Sequence, residues 1–133
     1  DIFECERRFG HIKQNPAEHN IKTPITDIHN LEADNPGEFV VFGKLVEKNL
    51  RDLNEAVNLA KRGGRRAETH NLWLNMKFED DTGPILAGID RFKYPKLGKP
   101  IVEDGKINDW YLLKGQIRKG FRKLNIDKWR KLT

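Results

Sequence analysis

Apolar and polar residues alternate along the chain from Asn71 to Ile89, and this is its most informative pattern. Alternation predicts half-buried strands, because successive side chains of a strand point to opposite faces of the sheet. Asp80-Asp81-Thr82-Gly83 interrupts the alternation with residues that favour a tight turn. The segment is therefore predicted to form a β-hairpin. The core face of its first strand would consist of Leu72, Leu74, Met76 and Phe78.

The opposite face of this strand would present Trp73, Asn75 and Lys77. An exposed tryptophan beside a cation offers a surface on which a base can stack and toward which negative charge is attracted. Because tryptophan is usually well buried, the alternative is that Trp73 is covered by a loop or by the N-terminal segment. The pattern alone leaves both interpretations open.

Similar reasoning places the elements that precede the hairpin. Residues 1–15 are compatible with a helix. Residues 16–37 have the composition of a connecting arm, in which Thr26 would cap a short helical turn. A long first strand is predicted from residue 38 to about residue 50, with Gly43 at a sharp bend or at a close approach of another backbone.

Residues 51–69 predict a short helix followed by a flexible basic loop, and residues 92–103 predict a loop or a short helix. Strand four is predicted over residues 110–119, and strand five follows the Lys119-Gly120 turn. Five strands with glycine bends favour a small, strongly curved barrel. A β-sandwich is the alternative.

The charge of the chain is unevenly distributed. The whole chain has 25 basic and 20 acidic residues, a net charge of +5. Residues 1–36 hold four basic and seven acidic side chains, whereas the last twenty residues hold eight basic side chains and one acid, Asp127. Such asymmetry predicts an anionic partner for the C-terminal portion, and nucleic acid is the commonest candidate. A generic solvated surface is the alternative.

The sequence offers little for catalysis or for metal binding. Cys5 is the only cysteine, and the four histidines lack metal-ligand spacing, so neither a disulfide nor a metal site is predicted. The acidic run from Glu79 to Asp81 is better explained by turn chemistry than by Mg²⁺ binding. No phosphate loop or nucleophile motif is present. We therefore expect a binding domain with no cofactor rather than an enzyme.

No apolar run approaches the roughly 20 residues that span a bilayer, and no signal-peptide pattern is present. We therefore expect a soluble intracellular protein with no membrane partner. The chain begins at Asp1 rather than at methionine, which favours an excised part of a larger polypeptide.

The order of the predicted elements resembles the OB-fold. More narrowly, the chain resembles the OB domain near the C-terminus of the bacterial DNA polymerase III alpha subunits, which are C-family polymerases. Four segments carry this resemblance, namely the arm segment Glu6–Pro16, the first strand Phe39–Val46, the hairpin Met76–Ile85 and the fourth strand Tyr111–Ile117. Asn15, Ala17 and the long basic insertion at 51–69 depart from the pattern of that family, which favours a diverged or viral member.

This resemblance implies an all-β core, namely a five-stranded OB-fold Greek-key barrel over residues 38–133. It would carry a partly helical N-terminal arm over residues 1–37 and a short helix or loop insertion between strands one and two. The implied function is that of a module of a DNA replication protein that binds single-stranded DNA, with RNA possible. The catalytic residues of a parent polymerase would lie outside this chain. The resemblance also implies a location in the bacterial cytoplasm, either as a bacterial protein or as a phage protein within it. The alternatives are an OB domain that docks other replisome proteins and a tRNA-binding OB module.

OB-folds present oligonucleotides to the face of strands two and three, flanked by the one–two loop and the four–five turn. Gly88 would leave room for a base to lie flat there. Phe121 would be either a second stacking group or a cap on the core. The predicted nucleic-acid-binding residues are Lys61, Arg62, Arg65, Arg66, Trp73, Asn75, Lys77, Gly88, Arg91, Arg118, Lys119, Phe121, Arg122 and Lys123.

Overall fold

Five strands close into a barrel in a computed structural model of the chain, which describes residues 2–52 and 72–133. The spatial order is β1-β2-β3-β5-β4, with β3 and β5 parallel and the other neighbours antiparallel. This closed ring confirms the predicted five-stranded barrel and excludes the sandwich. The predicted insertion after strand one lies outside the described residues. The strands are β1 (Gly37–Asp52), β2 (Leu72–Asp80), β3 (Gly83–Ile89), β4 (Trp110–Arg118) and β5 (Phe121–Lys131).

The long strand β1 closes the ring because it pairs with two partners. Its first half pairs with β4 and its second half pairs with β2, with a register shift between Leu45 and Glu47. Gly43 lies at the change of partner. A Cβ atom there would stand 2.9 Å from Cβ of Phe78 and 3.0 Å from Cδ1 of Leu113. The predicted close approach of another backbone is therefore wrong, since the atoms nearest to this position belong to two core side chains.

The predicted core face of the hairpin is confirmed. Leu74, Met76 and Phe78 are buried inside the barrel, and Leu72 is half-buried against the same cluster. Ile28 and Leu31, from the segment before β1, belong to this core and are fully buried. Two short helical elements between β3 and β4 add Tyr94 and Ile101 to the core. These are a π-helical turn (Tyr94–Gly98) and the helix α2 (Lys99–Asp104).

A second apolar cluster lies outside the barrel, where the N-terminal helix α1 (Glu4–Gln14) packs on β1 and β4. The ring of Phe9 lies 5.6 Å from the ring of Phe42 and 5.3 Å from that of Trp110, measured between centroids. The first half of β1 is consequently covered on both faces. This explains why its sequence is a continuous apolar run rather than an alternating one.

The turn of the β2–β3 hairpin holds the arm in place with two carboxylates. Asp81 accepts hydrogen bonds from the backbone N–H groups of Cys5 and Glu6, both at 2.8 Å, in the first turn of α1. Asp80 accepts from the N–H of Thr82 at 2.7 Å and from that of Ile28 at 2.9 Å. The acidic run thus has turn chemistry, as predicted, and it also caps two helical elements of the arm.

The predicted helical turn near Thr26 forms as a 3₁₀ turn over Ile28–Asn30. The prediction that Thr26 caps it is wrong, since Asp27 occupies the N-cap position and makes no side-chain cap bond. A second 3₁₀ turn (Pro16–His19) follows α1. The division into an arm over residues 1–37 and a barrel over residues 38–133 stays a prediction.

The crowding at Gly43 generates a test of barrel closure. We expect Gly43→Ala to lower the free energy of unfolding by about 1–3 kcal/mol, because the added Cβ overpacks the core. Gly10→Ala in α1 is the matched control, since its Cβ would meet only the flexible end of the Glu6 side chain. Urea unfolding of both variants makes the comparison. Equal stabilities of Gly43→Ala and the wild type would contradict this account of closure.

Candidate nucleic-acid interface

The outward side of the barrel at β2 and β3 forms one continuous surface, which we call the β2–β3 face. Register pairs Arg51 with Trp73, Asn49 with Asn75, and Glu47 with Lys77 across β1 and β2. Three cations and one carboxylate give this face a positive charge. Its residues are Glu47, Asn49, Arg51, Trp73, Asn75, Lys77, Leu86, Gly88 and Lys123.

Trp73 is half-buried, and its indole N–H has no hydrogen-bond partner among the described residues. The bonds that hold the arm to the hairpin fall at Asp80, Asp81 and Thr82, at the other end of β2. Trp73 lies seven residue steps along the strand from Asp80, which is about 23 Å. Only part of the indole ring is exposed for stacking, because its Nε1 atom is buried, and the arm is anchored far from it.

Lys123 reaches from β5 across β3 into the middle of this face. Its Nζ donates a hydrogen bond to Oδ1 of Asn75 at 3.0 Å. A Cβ atom on Gly88 would stand 2.6 Å from Cε of Lys123. The space predicted to receive a base over Gly88 is thus filled by the alkyl chain of Lys123. Gly88 instead allows that chain to cross the sheet and to place an ammonium group beside Asn75.

The β4–β5 turn presents a second exposed group of predicted residues. Arg118 and Lys119 are exposed, and Phe121 is 71% exposed. The alternative that Phe121 caps the core is therefore wrong. Gly120, at φ 91°, adopts the left-handed conformation that this tight turn requires, and its N–H donates to the carbonyl of Ala33 at 2.8 Å. The turn is consequently tied to the arm while its side chains face solvent.

Arg122 has a structural role that the sequence analysis did not foresee. Its Nε donates to the carbonyl of Leu31 at 2.7 Å, its Nη1 to that of Pro84 at 2.9 Å and its Nη2 to that of Ile28 at 3.0 Å. One guanidinium thus joins the arm to β3. A contact between Arg122 and nucleic acid stays a prediction.

The turn after β3 adds an aromatic residue that sequence reasoning missed. Asp90 accepts hydrogen bonds from the N–H groups of Phe92 and Lys93, both at 3.0 Å, and this fixes the turn. Phe92 is 76% exposed, and the guanidinium of Arg91 lies 4.7 Å from its ring centroid. Because β3 ends opposite the start of β2, this pair lies at the Trp73 end of the sheet. In the sequence, the only sign of this exposed aromatic residue is the Arg-Phe dipeptide that follows the turn-forming Asp90.

The four basic residues predicted for the one–two loop, Lys61, Arg62, Arg65 and Arg66, lie outside the described residues and stay predictions. Within residues 2–52 and 72–133, no group of His, Cys, Asp and Glu has a geometry that could hold a metal ion. Burial and the nearby carboxylate of Asp81 raise the pKa of Cys5 to about 12, so its thiol stays protonated at neutral pH. No helix in the same described ranges is long and apolar enough to cross a membrane.

No protein-family model matches this chain, and no curated protein matches it significantly. Among solved structures, it is similar to one titled "Crystal structure of yeast Stn1 and Ten1", with a TM-score of 0.52 at 10% identity over 72% of this chain. The chain spans only 43% of that relative. It is also similar to the OBody AM1L10 bound to hen egg-white lysozyme, with a TM-score of 0.55 at 13% identity over 81% of this chain and 92% of that one.

These similarities and the strand order show that the chain has an OB-fold. At such low identities they show the fold alone. The narrower resemblance to the DNA polymerase III alpha subunit gains nothing from them and stays a prediction.

The three carbonyl bonds of Arg122 predict a loss of stability when they are removed. We expect Arg122→Ala to lower the free energy of unfolding by about 1–3 kcal/mol, because charge-assisted bonds to the arm and to β3 are lost. Hydrogen exchange of the Ile28 and Leu31 amides should also accelerate. Arg118→Ala, on the same turn, removes an exposed arginine that makes no such bonds to the arm, and as the control it should stay within about 0.5 kcal/mol of wild type. Equal effects of the two changes would refute the clamp.

Proposed function

We propose that this domain binds single-stranded nucleic acid, in the first place DNA, on its β2–β3 face. The observation that carries the proposal is the position of Trp73 between Arg51 and the Lys77–Lys123 pair of cations on one outward face of an OB barrel. OB-folds commonly bind oligonucleotides on this face. The wider role we propose is that of a module in a DNA replication protein of a bacterium or phage, with the catalytic residues elsewhere in the parent protein.

The charge on this face suits a phosphate backbone. Outward side chains repeat every two residues along β2, which is about 6.8 Å. Lys77 faces Glu47 across the strands, so part of its charge is offset, whereas the ammonium of Lys123 has the neutral amide of Asn75 as its partner. We therefore expect Lys123 to provide more of the phosphate affinity than Lys77.

Aromatic groups stand at both ends of the face. Trp73 and Phe92 lie near the start of β2, and Phe121 lies level with the start of β3 on β5. The seven residues of β3 span about 23 Å. A stretch of several nucleotides, in the range typical of OB-folds, fits this length. Stacking is tolerant of base identity, so weak sequence preference follows.

A protein ligand on the same face is the second candidate. It is favoured by the OBody neighbour, whose structure is that of a complex with lysozyme. Leu86, in the middle of the face, is 56% exposed and would suit an apolar contact of this kind. Docking of replisome proteins through the barrel and the acidic arm, and binding of tRNA, remain the other candidates that the experiment below separates.

Titration with a fluorescent oligothymidylate of about 20 nucleotides, at several salt concentrations, tests the proposal. We expect Trp73→Ala to weaken binding about 5-fold to 150-fold, from the loss of one stacked base. Lys77→Ala/Lys123→Ala should reduce the salt slope by about two. Arg65→Ala/Arg66→Ala tests the predicted basic loop in the same way.

Lys96→Ala/Lys99→Ala removes two charges from the connection between β3 and β4 and is the control. Competition with tRNA and with unlabelled DNA of equal length distinguishes the two nucleic acids. If binding is unchanged in the Trp73→Ala and Lys77→Ala/Lys123→Ala variants, the β2–β3 face is not the binding site. An absence of binding at low salt would favour the protein ligand.

A further inference from the structure

A second basic surface lies on the outer side of β4 and β5, away from the β2–β3 face. It is a pocket of about 390 Å³, which we call the β4–β5 pocket. Its floor is apolar and includes Ile21 of the arm, Val40 of β1 and Leu112 of β4, all buried. The floor is surrounded by four cationic side chains, namely those of Lys22, Lys114, Lys128 and Arg130. No acidic side chain is among the described residues that line the pocket.

A bulge in β5 produces this arrangement. Leu124 and Ile126 point into the core, and unbroken alternation would turn Lys128 inward as well. The register shifts by one residue at Asp127, since Lys114 pairs with Lys128 while Gly115 pairs with Ile126. The extra residue turns Lys128, and Arg130 after it, toward the outside.

Gly115 permits this bulge because the two strands approach closely at that point. A Cβ atom on Gly115 would stand 2.4 Å from the carbonyl oxygen of Asn125. A side chain there is incompatible with the observed backbone. The pocket is therefore specified by the fold rather than by a chance cluster of surface lysines.

The cations around the pocket are only partly neutralised. Nη1 of Arg130 donates to the carbonyl of His19 at 3.1 Å, which fixes the arginine at the rim. Nζ of Lys114 lies 3.4 Å from a carboxylate oxygen of Glu38. Neither Lys22 nor Lys128 forms an ion pair with another described residue. Like charges that share a pocket repel one another, and a bound anion would remove that repulsion.

We infer that the β4–β5 pocket binds a phosphorylated nucleoside. The phosphate would lie between Lys22 and Lys128, and the nucleoside would lie over the apolar floor. The volume falls within the range of small-molecule sites, and an apolar floor with a few polar groups at its rim is typical of them. Asn20 and Thr23, which also line the pocket, supply hydrogen-bonding groups for a sugar or a base.

A phosphorylated nucleoside occurs in two kinds of ligand, namely a free nucleotide and the terminal nucleotide of a nucleic-acid strand. Lys114 and Arg118 lie on the same outward side of β4, about 13 Å apart, so a strand end has a basic path to the pocket. The inference does not rest on the β2–β3 face, because none of the residues that line the pocket belongs to that face.

Titration with thymidine monophosphate, followed by NMR chemical shifts, is the first test. We expect the nucleotide to bind wild type at least about tenfold more tightly than thymidine does, and Lys22→Ala/Lys128→Ala to abolish this difference. Both lysines are exposed, so the variant should fold. Lys96→Ala/Lys99→Ala, with the same loss of charge, and Trp73→Ala should bind the nucleotide as wild type does. A hexaglutamate peptide that competes as well as the nucleotide would overturn the assignment.

The second test compares oligothymidylates of eight nucleotides with a 5′-phosphate, a 3′-phosphate or neither. A terminal phosphate that tightens binding to wild type, but not to Lys22→Ala/Lys128→Ala, assigns the pocket to strand ends. Nucleotide binding that depends on the two lysines, without an effect of a terminal phosphate, assigns it to free nucleotides. The inference is refuted if neither ligand depends on Lys22 and Lys128. Because Trp73→Ala affects only the β2–β3 face, failure of one site is distinguishable from failure of the other.

Discussion

The structure depends on the long strand β1, which pairs with β4 along its first half and with β2 along its second half. The change of partner falls at Lys44, next to Gly43, where the bare backbone leaves room for Phe78 and Leu113 to approach. Closure removes the unpaired edges that an open five-stranded sheet would expose. Alternation along β2 places Trp73 and its neighbours on the outside of the closed barrel. The buried face of β2 fills the core, while its other face forms the candidate interface.

The arm is fixed by polar groups whose partners lie far away in the sequence. The carboxylates of Asp80 and Asp81 cap helical elements of the arm. Arg122 donates to a carbonyl of the arm, that of Leu31, and to a carbonyl of β3, that of Pro84. The bonds of the two carboxylates satisfy N–H groups at the starts of helical elements, which have no partner within the helix. Ile28 and Leu31 can then fill the core of the barrel. The arm is thus part of the folded barrel in energetic terms, although it is not part of the sheet.

Local patterns predicted much of this structure. The hairpin, its buried face and the two later strands follow from alternation and turn chemistry, which act within a few residues. Alternation cannot predict contacts that depend on which distant strands pair with each other. Lys123 meets Asn75 over Gly88 only because β3 and β5 pair in parallel. Arg122 is indistinguishable from its basic neighbours in the sequence, and only the folded arm selects it as a clamp. The predicted nucleic-acid site stays a prediction, and the expectation that Gly88 leaves room for a base is wrong, because Lys123 occupies that space.

The positive charge concentrated near the C-terminus does not gather on one surface. Lys123 lies on one side of the β5 bulge and extends toward the β2–β3 face, whereas Lys128 and Arg130 lie beyond the bulge and surround the β4–β5 pocket. A strand without the bulge would have turned the last two cations into the core, where an unpaired charge is strongly disfavoured. The shift at Asp127 is therefore required by folding, and its consequence is a second basic surface. Charge that is continuous along the sequence is thus divided by strand geometry between different surfaces of the barrel.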